Sequence, residues 1–131
     1  MKEPINEYIK MTATEAVARL RSREISPLDL VEASIQRIEA VDSKVNALPI
    51  HCFEQARSQA KSFNYMAHSD NPKSLCGLPI AVKDYNDLGG ALTTYGSPIF
   101  SKNVVKKSDA TVRQLETNGA IGIAKSNVPE W

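Results

Sequence analysis

Cysteine is scarce in this chain of 131 residues: Cys52 and Cys76 are the two it has. They lie too far apart for a Cys-x-x-Cys metal or redox motif, and two are too few for the disulfide framework of a small secreted domain. That usage predicts a reduced, cytoplasmic protein. Aromatic residues make up 6%, which argues against the stacking surface of a single-strand nucleic-acid binder. An excess of either charge is also missing, since 16 Lys and Arg against 15 Asp and Glu leave a net charge of +1. Nucleic acid and anionic membrane therefore have no electrostatic case as partners. No stretch approaches the ~20 apolar residues of a membrane span, and Met1-Lys2-Glu3-Pro4-Ile5-Asn6-Glu7 carries acids where an export signal needs an apolar run. What remains is a chain with 42% hydrophobic and 24% charged residues, of a length suited to one compact unit, that meets a small molecule or another protein.

The first half reads as helices. Thr12-x-x-Glu15 is a capping box, in which hydroxyl and carboxylate each satisfy a free backbone N–H, and Ala13, Ala16, Val17 and Leu20 follow on one face. Ser26-Pro27 opens a second helix, with Ser as cap, Pro at the first helical position and Asp29 where the helix dipole favours an acid. Its apolar stripe is Leu28, Val31, Ile35 and Ile38. Phe53, Ala56, Ala60 and Phe63 predict a third helix from Cys52 to about Met66. The polar segment His68 to Ser74 reads as a linker.

Beyond it the periodicity changes. Leu78-Pro79-Ile80-Ala81-Val82 is an apolar run ending in Lys83-Asp84, the pattern of a strand buried on both faces. Asp109 to Glu116, with Val112 and Leu115 on one face and Asn118-Gly119 as a stop, predicts a helix. Ala120-Ile121-Gly122-Ile123-Ala124 predicts a second strand, again ending in polar Lys125-Ser126-Asn127. Strand, crossover and strand form a βαβ-like unit with parallel pairing. Both strands finish in polar residues at their carboxyl ends, the edge where open α/β sheets bind ligands. The fold class expected is α/β: N-terminal helices (1–67), then the first strands of a mixed, largely parallel sheet (75–131), an incomplete part of a larger domain.

A lysine delivered to a strand end by an apolar run loses hydration, which favours the neutral amine a general base needs. Lys83 is the candidate, and pairing with Asp84 is the plain structural reading. Lys125 repeats the pattern and is read as structural or anion-facing. Asp84 is expected to organise its loop by hydrogen bonds, as are Thr93, Thr94 and Ser97 in a polar, glycine-containing stretch. His51 and His68 have no partner at useful spacing.

The motifs agree as a chained set: Gly77-x-Pro79-x-x-Val82-Lys83-Asp84, Gly90-x-x-Thr93-Thr94-x-Gly96-Ser97, Asp109-Ala110-Thr111-Val112 with Leu115, Gly119-Ala120-Ile121, and Lys125-Ser126-Asn127-x-Pro129-Glu130. In order and spacing they resemble the amidase signature family, as do Ser26-Pro27-Leu28-Asp29-Leu30-Val31 and Val45-Asn46-Ala47. The sequence departs from that family at Ala124, where Gly is usual, and at Trp131, where Phe is usual.

The resemblance implies a Ser-cisSer-Lys hydrolase of carboxamide C–N bonds, without metal or cofactor. Lys83 falls on the position of the base. Neutral Lys83 would take a proton from the cis serine, which takes one from the nucleophilic serine as an acyl-enzyme forms. Backbone N–H groups of a glycine- and serine-rich loop would hold the oxyanion. None of the serines here sits in a Gly-Gly-Ser-Ser-Gly-type run, so both catalytic serines are expected beyond the chain, and residues 1–131 alone are expected to be inactive. Thr94-Tyr95-Gly96-Ser97-Pro98 looks more like stand-alone amidases than the glutamine-hydrolysing subunit of a tRNA-dependent amidotransferase, which is the alternative within the family. A non-catalytic fragment or interaction module is the alternative outside it. Exposed sheet surface is expected to favour self-association.

Overall fold

The computed structural model describes the backbone of residues 3–130 and side chains from residue 7 onward; the readings of residues 1 and 2, of the side chains of residues 3–6 and of Trp131 lie outside it. Five helices, α1 (Glu3–Lys10), α2 (Ala13–Arg21), α3 (Pro27–Val45), α4 (Phe53–Lys61) and α5 (Ala110–Thr117), surround three strands, β1 (Ile50–His51), β2 (Pro79–Lys83) and β3 (Ile121–Ser126). The strand order is β1-β3-β2, with β1 antiparallel and β2 parallel to β3. This is the expected mixed α/β arrangement with helical start. No described helix is long and apolar enough to cross a membrane.

Local chemistry sets the helix starts. Thr12 and Ser26 both form complete capping boxes, with Glu15 and Asp29 reaching back to the cap N–H. Asp109 caps α5 by accepting the Val112 N–H at 2.9 Å. One cluster joins Val31, Ile35 and Ile38 of α3 and Ala56 and Ala60 of α4 to Ile121, Ile123 and Ala124 of β3. A second cluster, Cys52, Val82, Leu88, Ala91 and Val112, lies about the opposite side of the strands. The linker is fastened down, because the Arg21 guanidinium donates to the carbonyls of Asn71, Pro72 and Ser74 at 3.2, 3.4 and 3.2 Å. Gly77 is required where it stands: its φ is +91°, and a Cβ would lie 2.4 Å from Pro27 Cγ.

Three expectations need correcting, and two elements were not foreseen. α4 stops at Lys61 rather than near Met66, because the Asn64 side chain accepts the Ala67 N–H and starts a short 3₁₀ turn over Met66–His68. β2 is not buried on both faces: Val82 is buried in a cluster with Leu88 and Val112, but Ala81 and Lys83, which alternate with it, are exposed, so one face of the strand carries no packed layer among the described residues. Leu115 is 38% exposed and does not share the burial of Val112. Helix α1 and strand β1 went unpredicted.

Candidate active site

The carboxyl ends of β2 and β3 lie side by side, with Val82 opposite Lys125 and Lys83 opposite Ser126. The two strand-end lysines meet opposite surroundings. Lys125 rides on the central strand and is fully buried; its ammonium donates to Asp84 Oδ1 at 2.9 Å, the Asn86 carbonyl at 2.7 Å and Thr93 Oγ1 at 3.1 Å. Those contacts use every proton the ammonium has. Lys83 rides on the edge strand and is exposed, its Nζ 4.8 Å from the centre of the Tyr85 ring, so the loss of hydration expected for Lys83 is not found and falls on Lys125 instead. It forms no ion pair among the described residues.

Asp84 therefore pairs with Lys125 and not with its neighbour Lys83. It also accepts the Thr94 N–H at 3.1 and 3.2 Å and the Thr94 hydroxyl, which ties the loop after β2 to the sheet. The anion that Lys125 faces is this carboxylate. Thr93 and Ser97 are buried in the same structure. Ser97 Oγ donates to Glu130 Oε1 at 2.7 Å, and the Tyr85 hydroxyl donates to the Pro129 carbonyl at 2.7 Å, so the segment after β3 folds over the loop. Gly96, at φ +75°, allows this approach, since a Cβ would lie 2.5 Å from the Pro129 oxygen.

The surrounding acids are each engaged. Asp87 accepts from the Tyr95 hydroxyl at 2.7 Å, which pushes the Tyr95 phenol up from its ordinary value. The Val112 N–H holds the Asp109 carboxyl below its usual range, assisted by Asn86, whose amide donates to it at 2.8 Å. Burial pushes the Cys52 thiol up, with Lys125 opposing. His51 and His68 stand apart from this cluster: His51 stacks on Phe53 at 4.4 Å and His68 on Phe63 at 5.0 Å, with Ser74 Oγ 3.0 Å from its Nδ1.

Sequence reasoning named Lys83, Asp84, Thr93, Thr94, Ser97 and Lys125, and the fold brings all six to one sheet edge. It missed Glu130, Tyr85 and Asn86 as partners, for which only chain proximity to the motif residues gave a signal. An amine without a counter-ion at such an edge can hold an anion when charged, or accept a proton when neutral.

Known proteins share the sequence and fold of this chain. Residues 29–131 match the amidase family. A glutamyl-tRNA(Gln) amidotransferase subunit from Anaeromyxobacter dehalogenans is 36% identical over all of this chain, which covers 27% of it. A Mycobacterium tuberculosis protein carrying the name amidase AmiB2 is 40% identical over 77% of this chain and 22% of its own length. The structure of 6-aminohexanoate cyclic dimer hydrolase superposes with a TM-score of 0.77 at 26% identity, over 92% of this chain and 24% of that one. The chain thus spans about a quarter of the length of the relatives it matches. With the family matched over most of its residues, the chain belongs to the amidase family, the amidase signature group its motifs resemble.

Proposed function

We propose that residues 1–131 are the N-terminal part of a single amidase domain whose complete protein hydrolyses a carboxamide, with Lys83 as the general base. The observation that carries this reading is the contrast at the sheet edge: Lys125 spends its protons inside the fold, whereas Lys83 stands at the same edge with no ion-pair partner among the described residues. In the reaction, neutral Lys83 accepts a proton from a serine supplied downstream, which takes one from the nucleophilic serine as it attacks the carbonyl carbon. The C–N bond then breaks, the amine leaves with a proton returned along the same relay, and water releases the acid. Residues 78–84 and 93–97 place the base, and the exposed side of β2 receives the remaining sheet. Without that covering, the same surface is where isolated chains would associate.

A second reading, the glutamine-hydrolysing subunit of a tRNA-dependent amidotransferase, is favoured by the names of relatives such as the one from Anaeromyxobacter dehalogenans. One assay separates the readings: the complete protein is offered simple aliphatic and aromatic amides and, separately, glutamine. Turnover of simple amides that falls at least a hundredfold in Lys83→Ala supports the stand-alone enzyme. Turnover confined to glutamine supports the amidotransferase, and full activity in Lys83→Ala refutes the role of Lys83 in either.

A further inference from the structure

Lys83 opens a turn whose other side chains are all held. Its carbonyl accepts the Asn86 N–H at 2.8 Å, which closes the turn Lys83-Asp84-Tyr85-Asn86 and brings Tyr85 back beside Lys83. Asp84 is held by Lys125 and by the N–H and hydroxyl of Thr94. The Asn86 amide donates to Asp109, and its carbonyl accepts from Lys125. The Tyr85 hydroxyl donates to the Pro129 carbonyl at 2.7 Å, and that carbonyl is packed so closely on Gly96 that a Cβ there would lie 2.5 Å from its oxygen. The ring is therefore fixed at one end by the turn and at the other by the segment after β3. The Lys83 amine lacks any such tie. Among the described residues it has no hydrogen bond and no ion pair, and what it meets is the face of the Tyr85 ring, 4.8 Å from Nζ to the ring centre.

We propose that Tyr85 is a positioning residue for Lys83: its anchored ring face holds the amine at the sheet edge while leaving it free of hydrogen bonds. This rests on the reading of Lys83 as the base. Lysine carries its amine on a flexible four-carbon stem, and on the exposed face of β2 the ring is the contact that limits where that amine goes. The restriction matters, because a misplacement of about 1 Å in a reacting group can cost on the order of a hundredfold in rate. A carboxylate or carbonyl would also fix the amine, but by engaging its N–H groups, as Asp84, Asn86 and Thr93 engage those of Lys125. An aromatic face attracts an ammonium through the ring quadrupole and presents no oxygen or nitrogen to it. The protons of the ammonium, and the lone pair of the amine once one has left, thus remain open to a serine arriving from the rest of the domain. Tyr85 acts through Lys83 and itself transfers no proton.

The test uses the complete protein and the substrate it turns over in the assay above, with kcat, KM and Tm measured for the parent, Tyr85→Phe, Tyr85→Leu, Tyr85→Gln and Lys83→Ala. Phe keeps the ring and loses the bond to Pro129, whereas Leu and Gln lose the ring. Tyr85→Phe should keep kcat within about threefold of the parent, and the two ringless variants should lower it about tenfold or more with KM moved by less than about threefold, the split expected when the base is misplaced and binding is untouched. A residue that merely braced the turn through Pro129 would give Phe and Leu the same loss. The proposal is overturned if folded ringless variants keep the parent kcat, if Phe is as impaired as Leu, or if KM alone rises, which would make Tyr85 part of the substrate pocket. If neither ringless variant folds, the ring is a folding element and the proposal fails. Full activity in Lys83→Ala removes the base and the proposal with it, whereas an inactive Lys83→Ala beside fully active ringless variants overturns the proposal alone.

Discussion

Two substitutions of the same kind, Lys125→Met and Lys83→Met, should have very different effects on stability. Met nearly preserves the volume of the lysine stem, so loss of the charge and its hydrogen bonds dominates each change. At position 125 the change strands the Asp84 carboxylate, 2% exposed, without its cation, and frees Thr93 Oγ1 and the Asn86 carbonyl. Breaking a buried ion pair from one side costs about 3–5 kcal/mol. For a chain of this length that is a fall in Tm of roughly 10–20 °C. At position 83 the exposed ammonium loses its place over the Tyr85 ring, a contact of about 0.5–1 kcal/mol at a solvent-facing site. Adding Asp84→Asn to Lys125→Met removes the stranded charge and should recover part of the loss. Thermal unfolding followed by circular dichroism, with urea titration for ΔG, measures all of these. If Lys125→Met and Lys83→Met fall within about 1 kcal/mol of one another, the buried pair does not anchor the sheet edge and the reasoning is wrong.

Two further outcomes follow from other residues. Asp109→Ala removes the cap of α5 and should cost about 1 kcal/mol near neutral pH. The Asp109 carboxyl is depressed in the folded protein, so its contribution is complete above the ordinary carboxylate value near pH 4 and fades as pH falls through the lower folded value. Urea titrations across pH 2–7 should therefore show the variant's deficit shrinking on the acid side; a deficit constant with pH would contradict this. Gly77→Ala forces a Cβ to 2.4 Å from Pro27 Cγ at φ +91° and should lower stability by more than 2 kcal/mol, which a Tm within a few degrees of the parent would refute.

The legible parts of the fold were those decided within a few residues. Thr12 with Glu15, and Ser26-Pro27 with Asp29, start their helices through contacts the sequence spells out, and the structure contains both boxes. The end of α4 was not legible, because Phe63 continues the apolar period while Asn64 competes for the backbone one residue later. A strand of two residues such as β1 has no period to detect, and its position comes from pairing Ile50 with Lys125 and His51 with Ala124, far along the chain. The site shows the same division. Both lysines follow apolar runs, so the sequence treats them alike. Their difference comes from the face each one takes: Lys125 lies opposite Val82 and shares its covered side, whereas Lys83 alternates to the side that Ala81 leaves exposed. Which face of a strand is covered is a property of tertiary packing that the apolar run before each lysine does not encode.

The fastening of residues 71–74 by Arg21 bears on how the molecule moves. A hinge between two lobes needs a connecting segment that exchanges its hydrogen bonds cheaply, so that small torsional changes swing one body against the other. Here the connector offers its carbonyls to a planar, multi-donor guanidinium at the end of α2, and Ser74 also holds His68 and the Cys76 N–H. Bending at this point would unpair several of these contacts together. The helical and strand-bearing halves are thus expected to tumble and respond to force as one body.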